Sequence, residues 1–219
     1  MGQNMIRLDN ISITVGTFHL PNVSLEIERG RYAILMGKTG CGKTSLLETI
    51  CGLRKPSSGS VWIQDVDVTR YAPGDREIGY VPQDLALFPT YNVAEHLEFG
   101  LKLRKASPSR LKQRRDETAE ILGITHLLRR PIDGLSGGEA QRVALGRAIA
   151  VEPSVLLLDE PLSALDEETR DEMLELLQSL KEATNVTTLH VTHNLAEAER
   201  LADCRYRLSD SVLEHVAID

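Results

Sequence analysis

The stretch Gly37-Lys38-Thr39-Gly40-Cys41-Gly42-Lys43-Thr44 fits the spacing G-x-x-x-x-G-K-[ST] at every required position. Before it, Ala33-Ile34-Leu35-Met36 is a short apolar run that reads as a buried strand. After it, the residues from Ser45 to Ile50 read as a helix. A strand, a Gly-rich loop and a helix start aim unpaired backbone N–H groups and the positive helix end at one point. A polyphosphate suits that point. Lys43 is expected to reach its β- and γ-phosphates, and the Thr44 hydroxyl to ligate Mg²⁺. Gly40 and Gly42 admit backbone angles closed to other residues, and Cys41 is read as a small tolerated residue.

Four further places carry chemistry. Val155-Leu156-Leu157-Leu158 is a fully apolar run ended by Asp159-Glu160. Two carboxylates there cannot be core filler, because an unpaired buried charge is too costly. Asp159 is expected to hold Mg²⁺ through its water shell, and Glu160 to orient or deprotonate an attacking water. Gln83 follows the short strand Ile78–Val81, stopped by Pro82, at the strand edge where open α/β sheets bind ligands; its amide can bridge a metal and a water. Leu135-Ser136-Gly137-Gly138-Glu139 reads as a capped helix start with exposed N–H groups, a second anion-seeking tip. His193 closes the strand Thr187–Thr192 in the same way that Gln83 and Asp159 close theirs. His190, inside that run, reads as a core histidine.

These residues need a frame. Residues 5–28 alternate loosely and break at Gly16, which predicts antiparallel strands. Gly52 ends the loop helix, and Ser60–Gln64 extends as another β piece. Strand signals vanish over residues 90–133, where a helix is expected from Val93 to Leu103 and another after the Ser107 cap and Pro108. Their basic residues, Arg104, Lys105, Arg110, Lys112, Arg114 and Arg115, are expected to form a solvated face. Ser163-Ala164-Leu165-Asp166 turns into a helix with Asp166, Glu167 and Glu168 in its first turn, where negative charge is favoured. Residues 205–219 predict one short hairpin. The fold class is therefore α/β: a P-loop NTPase core with a parallel sheet, an N-terminal antiparallel β-subdomain and an inserted α-helical subdomain.

The composition fits one domain. The chain has 219 residues, 42% hydrophobic and 26% charged, with a net charge of −7. That charge argues against a nucleic-acid partner. No apolar run approaches the roughly 18–20 residues of a membrane span, and Met1-Gly2-Gln3-Asn4-Met5 carries no signal pattern. Cys41, Cys51 and Cys204 form no paired framework, so reduced thiols are expected.

In their order along the chain, the phosphate loop, Gln83, the Ser-Gly-Gly tip, Asp159-Glu160-Pro161, Ser163–Asp166 and His193 resemble the ATP-binding cassette ATPases over residues 5 to 208. The Ser-Gly-Gly signature is the most specific element. The stretch Asp75–Gln83 with Leu87-Phe88-Pro89 is similar to importer-type cassettes for sulfate, molybdate, thiamine or polyamines. The resemblance implies one nucleotide-binding domain over residues 1–219, its helical subdomain at about 90–133, with no C-terminal regulatory domain. It implies ATP and Mg²⁺, bound by Gly37 to Ser45 with Thr44, Gln83 and Asp159 at the metal. It also implies an ATP-dependent head-to-tail homodimer. Ser136, Gly137 and Gly138 of one copy would grip the γ-phosphate held by Lys43 and Thr44 of the other, with Asp166 touching the opposite copy. Glu160, His193 and Gln83 are the expected catalytic residues. The expected partners are permease subunits in the membrane and a solute-binding protein, with the chain in the cytoplasm, peripheral on the inner face of the cell membrane. A lipoprotein-release or division-type cassette, or a soluble non-transport cassette, is the alternative; the −7 charge counts against the soluble one. Family members stack an aromatic on adenine near Val15. Phe18 is the substitute this sequence offers.

Overall fold

The computed structural model describes residues 4–217. Met1 to Gln3, part of the stretch read for a signal pattern, and the last two residues of the expected hairpin lie outside the described residues. The chain opens with β1 (Asn4–Val15) and β2 (Phe18–Glu28), antiparallel and joined at Gly16. Then come β3 (Tyr32–Gly37), α1 (Lys43–Cys51), β4 (Ser58–Ile63), β5 (Val66–Asp67) and β6 (Ile78–Val81). The helical insertion holds α2 (Val93–Leu103) and α3 (Pro108–Ile121). α4 (Gly137–Ile149), β7 (Val155–Asp159), α5 (Glu167–Ala183), β8 (Thr187–Val191) and α6 (Leu195–Leu201) follow, and β9 (Cys204–Ser209) and β10 (Val212–Val216) close the described chain.

Two sheets result. One is antiparallel, in the order β2-β1-β4-β5. The other runs β10-β9-β3-β8-β7-β6, parallel from β9 to β6. The strands of the parallel sheet send alternate side chains to opposite faces. Ala33, Leu35, Val155 and Leu157 join α1 and the antiparallel sheet in one core. Ile34, Leu156 and Leu158 join α4, α5, α6 and the helical insertion in another. The terminal hairpin was expected, but its place was not: β9 adds to the parallel sheet beside β3, with Ala33 opposite Cys204 and Gly37 opposite Leu208.

The basic residues of the insertion correct a second expectation. They are not simply a solvated face. Arg114, only 12% exposed, pairs with Glu117 at 2.7 Å and donates to the Ala150 carbonyl at 3.2 Å. Arg110 pairs with Glu152, Arg115 with Glu98 at 3.0 Å, and Arg104 donates to the Val151 carbonyl. The periodicity of α3 shows which residues face outward, but not that acceptors beyond the end of α4 lie within reach. These contacts staple α3 to α2 and to the turn after α4. Cys41, Cys51 and Cys204 are unpaired, as expected.

Candidate functional site

Parallel strands bring their C-terminal ends to one edge, and that is where the site lies. β3 ends in Gly37, β8 leads to His193, β7 leads to Glu160 and β6 leads to Gln83, in that order across the sheet. Residues 38–42 form a loop in which Lys38, Thr39 and Gly40 are exposed. Gly42 caps α1 with φ of 108°, and a Cβ there would lie 2.8 Å from the Phe18 ring. Both the angle and the contact demand glycine. Lys43 begins the helix almost fully buried; its Nζ donates to the Gly37 carbonyl at 2.9 Å and to the Lys38 carbonyl at 3.1 Å. Thr44 follows, exposed, and Ser45 is half-buried.

The carboxylates face this loop. Asp159 is 1% exposed, and neither of its oxygens meets a partner at full hydrogen-bonding geometry. Burial pushes its carboxyl above the usual carboxylate range, with the Thr44 hydroxyl pulling against that rise and Glu160 adding to it. A buried polar group without a partner needs an explanation, and a cation shared with Thr44 supplies one. The residues present therefore fit Mg²⁺. Glu160 stands between two cationic or basic groups: Oε1 is 3.7 Å from Lys43 Nζ, and Oε2 is 3.4 Å from His193 Nδ1. Its backbone has φ of 45°, a left-handed angle that costs a non-glycine residue energy and gathers at functional sites. The Glu160 N–H donating to the Val191 carbonyl at 2.9 Å helps hold it there.

His193 is 62% exposed, so its imidazole can meet a ligand. His190 is the core residue expected. It is fully buried, with Nδ1 3.0 Å from the Tyr32 hydroxyl and Nε2 3.4 Å from Glu197 of α6. Gln83 is exposed, and its side chain has no protein hydrogen bond among the described residues.

The second anion-seeking tip stands apart. The Ser136 hydroxyl accepts from the Glu139 N–H at 3.2 Å, and the Glu139 carboxylate accepts from the Ser136 N–H at 2.7 Å. That reciprocal cap holds the Glu139 carboxyl below its usual range and fixes the helix start. Ser136 and Gly137 are exposed while Gly138 is buried, and a Cβ on Gly138 would press within 2.5 Å of Thr169. Asp166 caps α5, accepting from the Thr169 N–H at 3.0 Å, so the tip and Asp166 lie against the same helix. Among the described residues no hydrogen bond or ion pair joins Ser136, Gly137 or Gly138 to residues 37–45. Phe18 lies directly opposite Val15 at the β1–β2 turn and packs on the α1 cap beside the loop.

What holds the Gln83 loop has no signal in the sequence. Arg147 of α4 donates to the Leu85 carbonyl at 2.7 Å and to the Ala86 carbonyl. His96 of α2 accepts from the Phe88 N–H at 2.9 Å. Both partners are main-chain groups, which leave no side-chain pattern to read. Among the described residues no helix is long and apolar enough to cross a membrane.

Comparison with known proteins gives the family. The profile of the ABC transporter family matches residues 20–163. The molybdate/tungstate import ATP-binding protein of Thermococcus kodakarensis is 42% identical over 199 residues, spanning 91% of this chain and 60% of that protein. The probable sulfate/thiosulfate import ATP-binding protein of Chlorella vulgaris is 43% identical over 198 residues, spanning 90% of this chain and 84% of that one. A solved dimeric ATP-binding cassette in a post-hydrolysis state, bound to ADP and Pi, matches with a TM-score of 0.85 and 28% identity, covering 98% of this chain and 100% of that one. The chain thus spans about three fifths of the length of the archaeal relative.

Proposed function

Because this chain belongs to the ABC transporter family, we propose that it binds ATP, dimerises around it and hydrolyses it to drive solute import through a membrane permease. The observation that carries this reading is the meeting of Lys43, Asp159, Glu160 and His193 at one sheet edge, with Glu160 between Lys43 and His193. The import names of the relatives support the direction of transport.

Residues 37–45 wrap the phosphates with backbone N–H groups, and Lys43 turns its ammonium from the loop carbonyls toward the β- and γ-phosphates. Thr44, Asp159 and Gln83 would hold Mg²⁺, which when bound neutralises charge across the phosphate oxygens. Glu160 accepts the proton of the attacking water as its oxygen bonds to the γ-phosphorus. The bond to the bridging oxygen breaks, leaving ADP and phosphate. His193 holds the γ-phosphate and keeps Glu160 aligned. Ser136, Gly137 and Gly138 approach the γ-phosphate from a second copy, head to tail, with Asp166 at the same interface. This arrangement gives the exposed second tip a ligand. Phe18 stacks on the base. The chain is one nucleotide-binding domain.

A groove of about 930 Å³, lined by Leu53, Tyr80, Phe88, Phe99 and Leu103 among others, runs between β6 and α2 beside the Gln83 loop. We assign it to a permease helix, and on this reading the chain works at the inner face of the membrane. A solute-binding protein completes the assembly on the other side.

The test is Glu160→Gln. Loss of a positioned general base costs about 10²–10⁴ in rate. The variant should therefore stop turning over while keeping MgATP, and should run as a nucleotide-dependent dimer in size-exclusion chromatography. Turnover at the wild-type rate, or a monomer in saturating MgATP, would contradict the reading.

A further inference from the structure

The loop that carries Gln83 is held in an unusual shape. Leu85 N–H donates to the Pro82 carbonyl at 3.0 Å, closing a turn around Gln83 and Asp84. Leu85 and Ala86 then take left-handed angles, with φ of 61° and 43°. Two such non-glycine residues in a row persist only where neighbours enforce them. The neighbours are Arg147, whose guanidinium donates to both of their carbonyls, and His96, which accepts from the N–H of Phe88 two residues on. Arg147 also sits 5.2 Å over the Phe88 ring, and that ring stacks on the His96 imidazole at 5.5 Å and 16°.

The hydrogen bonds of His96 dictate its protonation. A main-chain N–H can only donate, so Nε2, 2.9 Å from the Phe88 nitrogen, carries no proton. Nδ1 must then carry one, and it donates to the Asn92 carbonyl at 2.8 Å. A second proton on Nε2 would set two N–H groups against each other. We propose that His96 is a positioning residue for Gln83: as a neutral imidazole it fixes Phe88 and, with Arg147, holds residues 83–88 in the shape that presents Gln83 to bound nucleotide. This rests on the ATPase reading above. His96 is fully buried. That burial lowers its pKa, the Asn92 carbonyl raises it, Arg147 of α4 lowers it and Glu95 of its own helix raises it, with a net lowering. Tyr91, Phe88 and Phe99, the other aromatic neighbours of this cluster, are uncharged. Since the folded-state value is depressed, the clamp is complete above the ordinary histidine value of about 6.5 and is lost as pH falls through the folded value.

Two variants and two measurements test this. His96→Gln places an amide oxygen where Nε2 accepts, and it does not titrate. His96→Leu fills the space and accepts nothing. Hydrogen exchange of residues 83–91 without nucleotide is followed at about pH 7.5 and about pH 5.5, either side of the ordinary histidine value. After correction for intrinsic rates, the wild-type loop should lose about tenfold protection in acid. His96→Gln should keep its protection, and His96→Leu should lack it at both pH values. In MgATP turnover, His96→Leu should lose roughly tenfold or more in kcat with little change in KM, as expected for a misplaced group. His96→Gln should match wild type at neutral pH and retain more of its rate in acid. Equal exchange in wild type and His96→Leu, or an acid loss of turnover in His96→Gln that tracks wild type, overturns the proposal. A wild-type chain that binds no MgATP overturns the ATPase reading and the role of His96 with it. The nucleotide-free exchange data tell that failure apart from failure of the clamp.

Discussion

Asp159→Asn should make the protein more stable and less able to bind metal at once. Asp159 is 1% exposed, and neither of its oxygens meets a partner at full hydrogen-bonding geometry. Leaving such a group unsatisfied costs about 1–3 kcal/mol, more for a charge. Its carboxyl pKa is raised, so the folded state binds a proton more readily than the unfolded chain does. The penalty is therefore present at neutral pH and is relieved as pH falls through the folded value. A neutral amide removes the charge and leaves the Thr44 hydroxyl an oxygen to donate to. Recovering about 1–3 kcal/mol raises Tm by about 2–12 °C in a chain of this size. MgATP at about 100 times its dissociation constant adds about 2.7 kcal/mol to the wild type, and the share of that gain that depends on Mg²⁺ should vanish in the variant. Thermal melts in EDTA, and in ATP with and without Mg²⁺, measure both halves. A variant that melts below wild type in EDTA, or that keeps the full Mg²⁺-dependent gain, would refute the argument that this carboxylate is kept for a cation.

Lys43→Ala removes the buried ammonium that donates to the Gly37 and Lys38 carbonyls; titration calorimetry should find no ATP binding, and unchanged affinity would contradict the phosphate assignment. Ser136→Ala deletes the cap of α4 and should cost about 1 kcal/mol, read as a Tm lower by about 2–4 °C. In the Glu160→Gln background it should also weaken the ATP-dependent dimer, so an unchanged dimer would remove Ser136 from the interface.

The chemistry was the most legible part of the sequence, because its residues sit at strand ends and helix starts. An apolar run stopped by Asp159-Glu160 reads as a buried strand reaching a polar edge, and Ser136 followed by two glycines reads as a helix start. The neighbours of each strand were less legible. Nothing in Cys204–Ser209 distinguishes a free hairpin from a strand added beside β3, since that choice depends on the open edge of a strand far back in the chain. Side chains that bind main-chain groups were invisible for the same reason: His96 and Arg147 reach across 8 and 61 residues to groups every residue carries. The left-handed angle of Glu160 has no sequence signal, because left-handed geometry is normally announced by glycine or asparagine.

The place of β9 also ties the phosphate loop to a distant part of the chain. β3 delivers Gly37 to the loop, and its two neighbours are β8 and β9. A Cβ on Gly37 would press within 2.4 Å of the Leu208 carbonyl, so the start of the loop is shaped against β9 itself. On the ribosome, β3 emerges before either of its sheet neighbours and keeps both edges bare until β8 and β9 have been made. Chains cut before β8 and β9 carry the motif without the two strands that flank it.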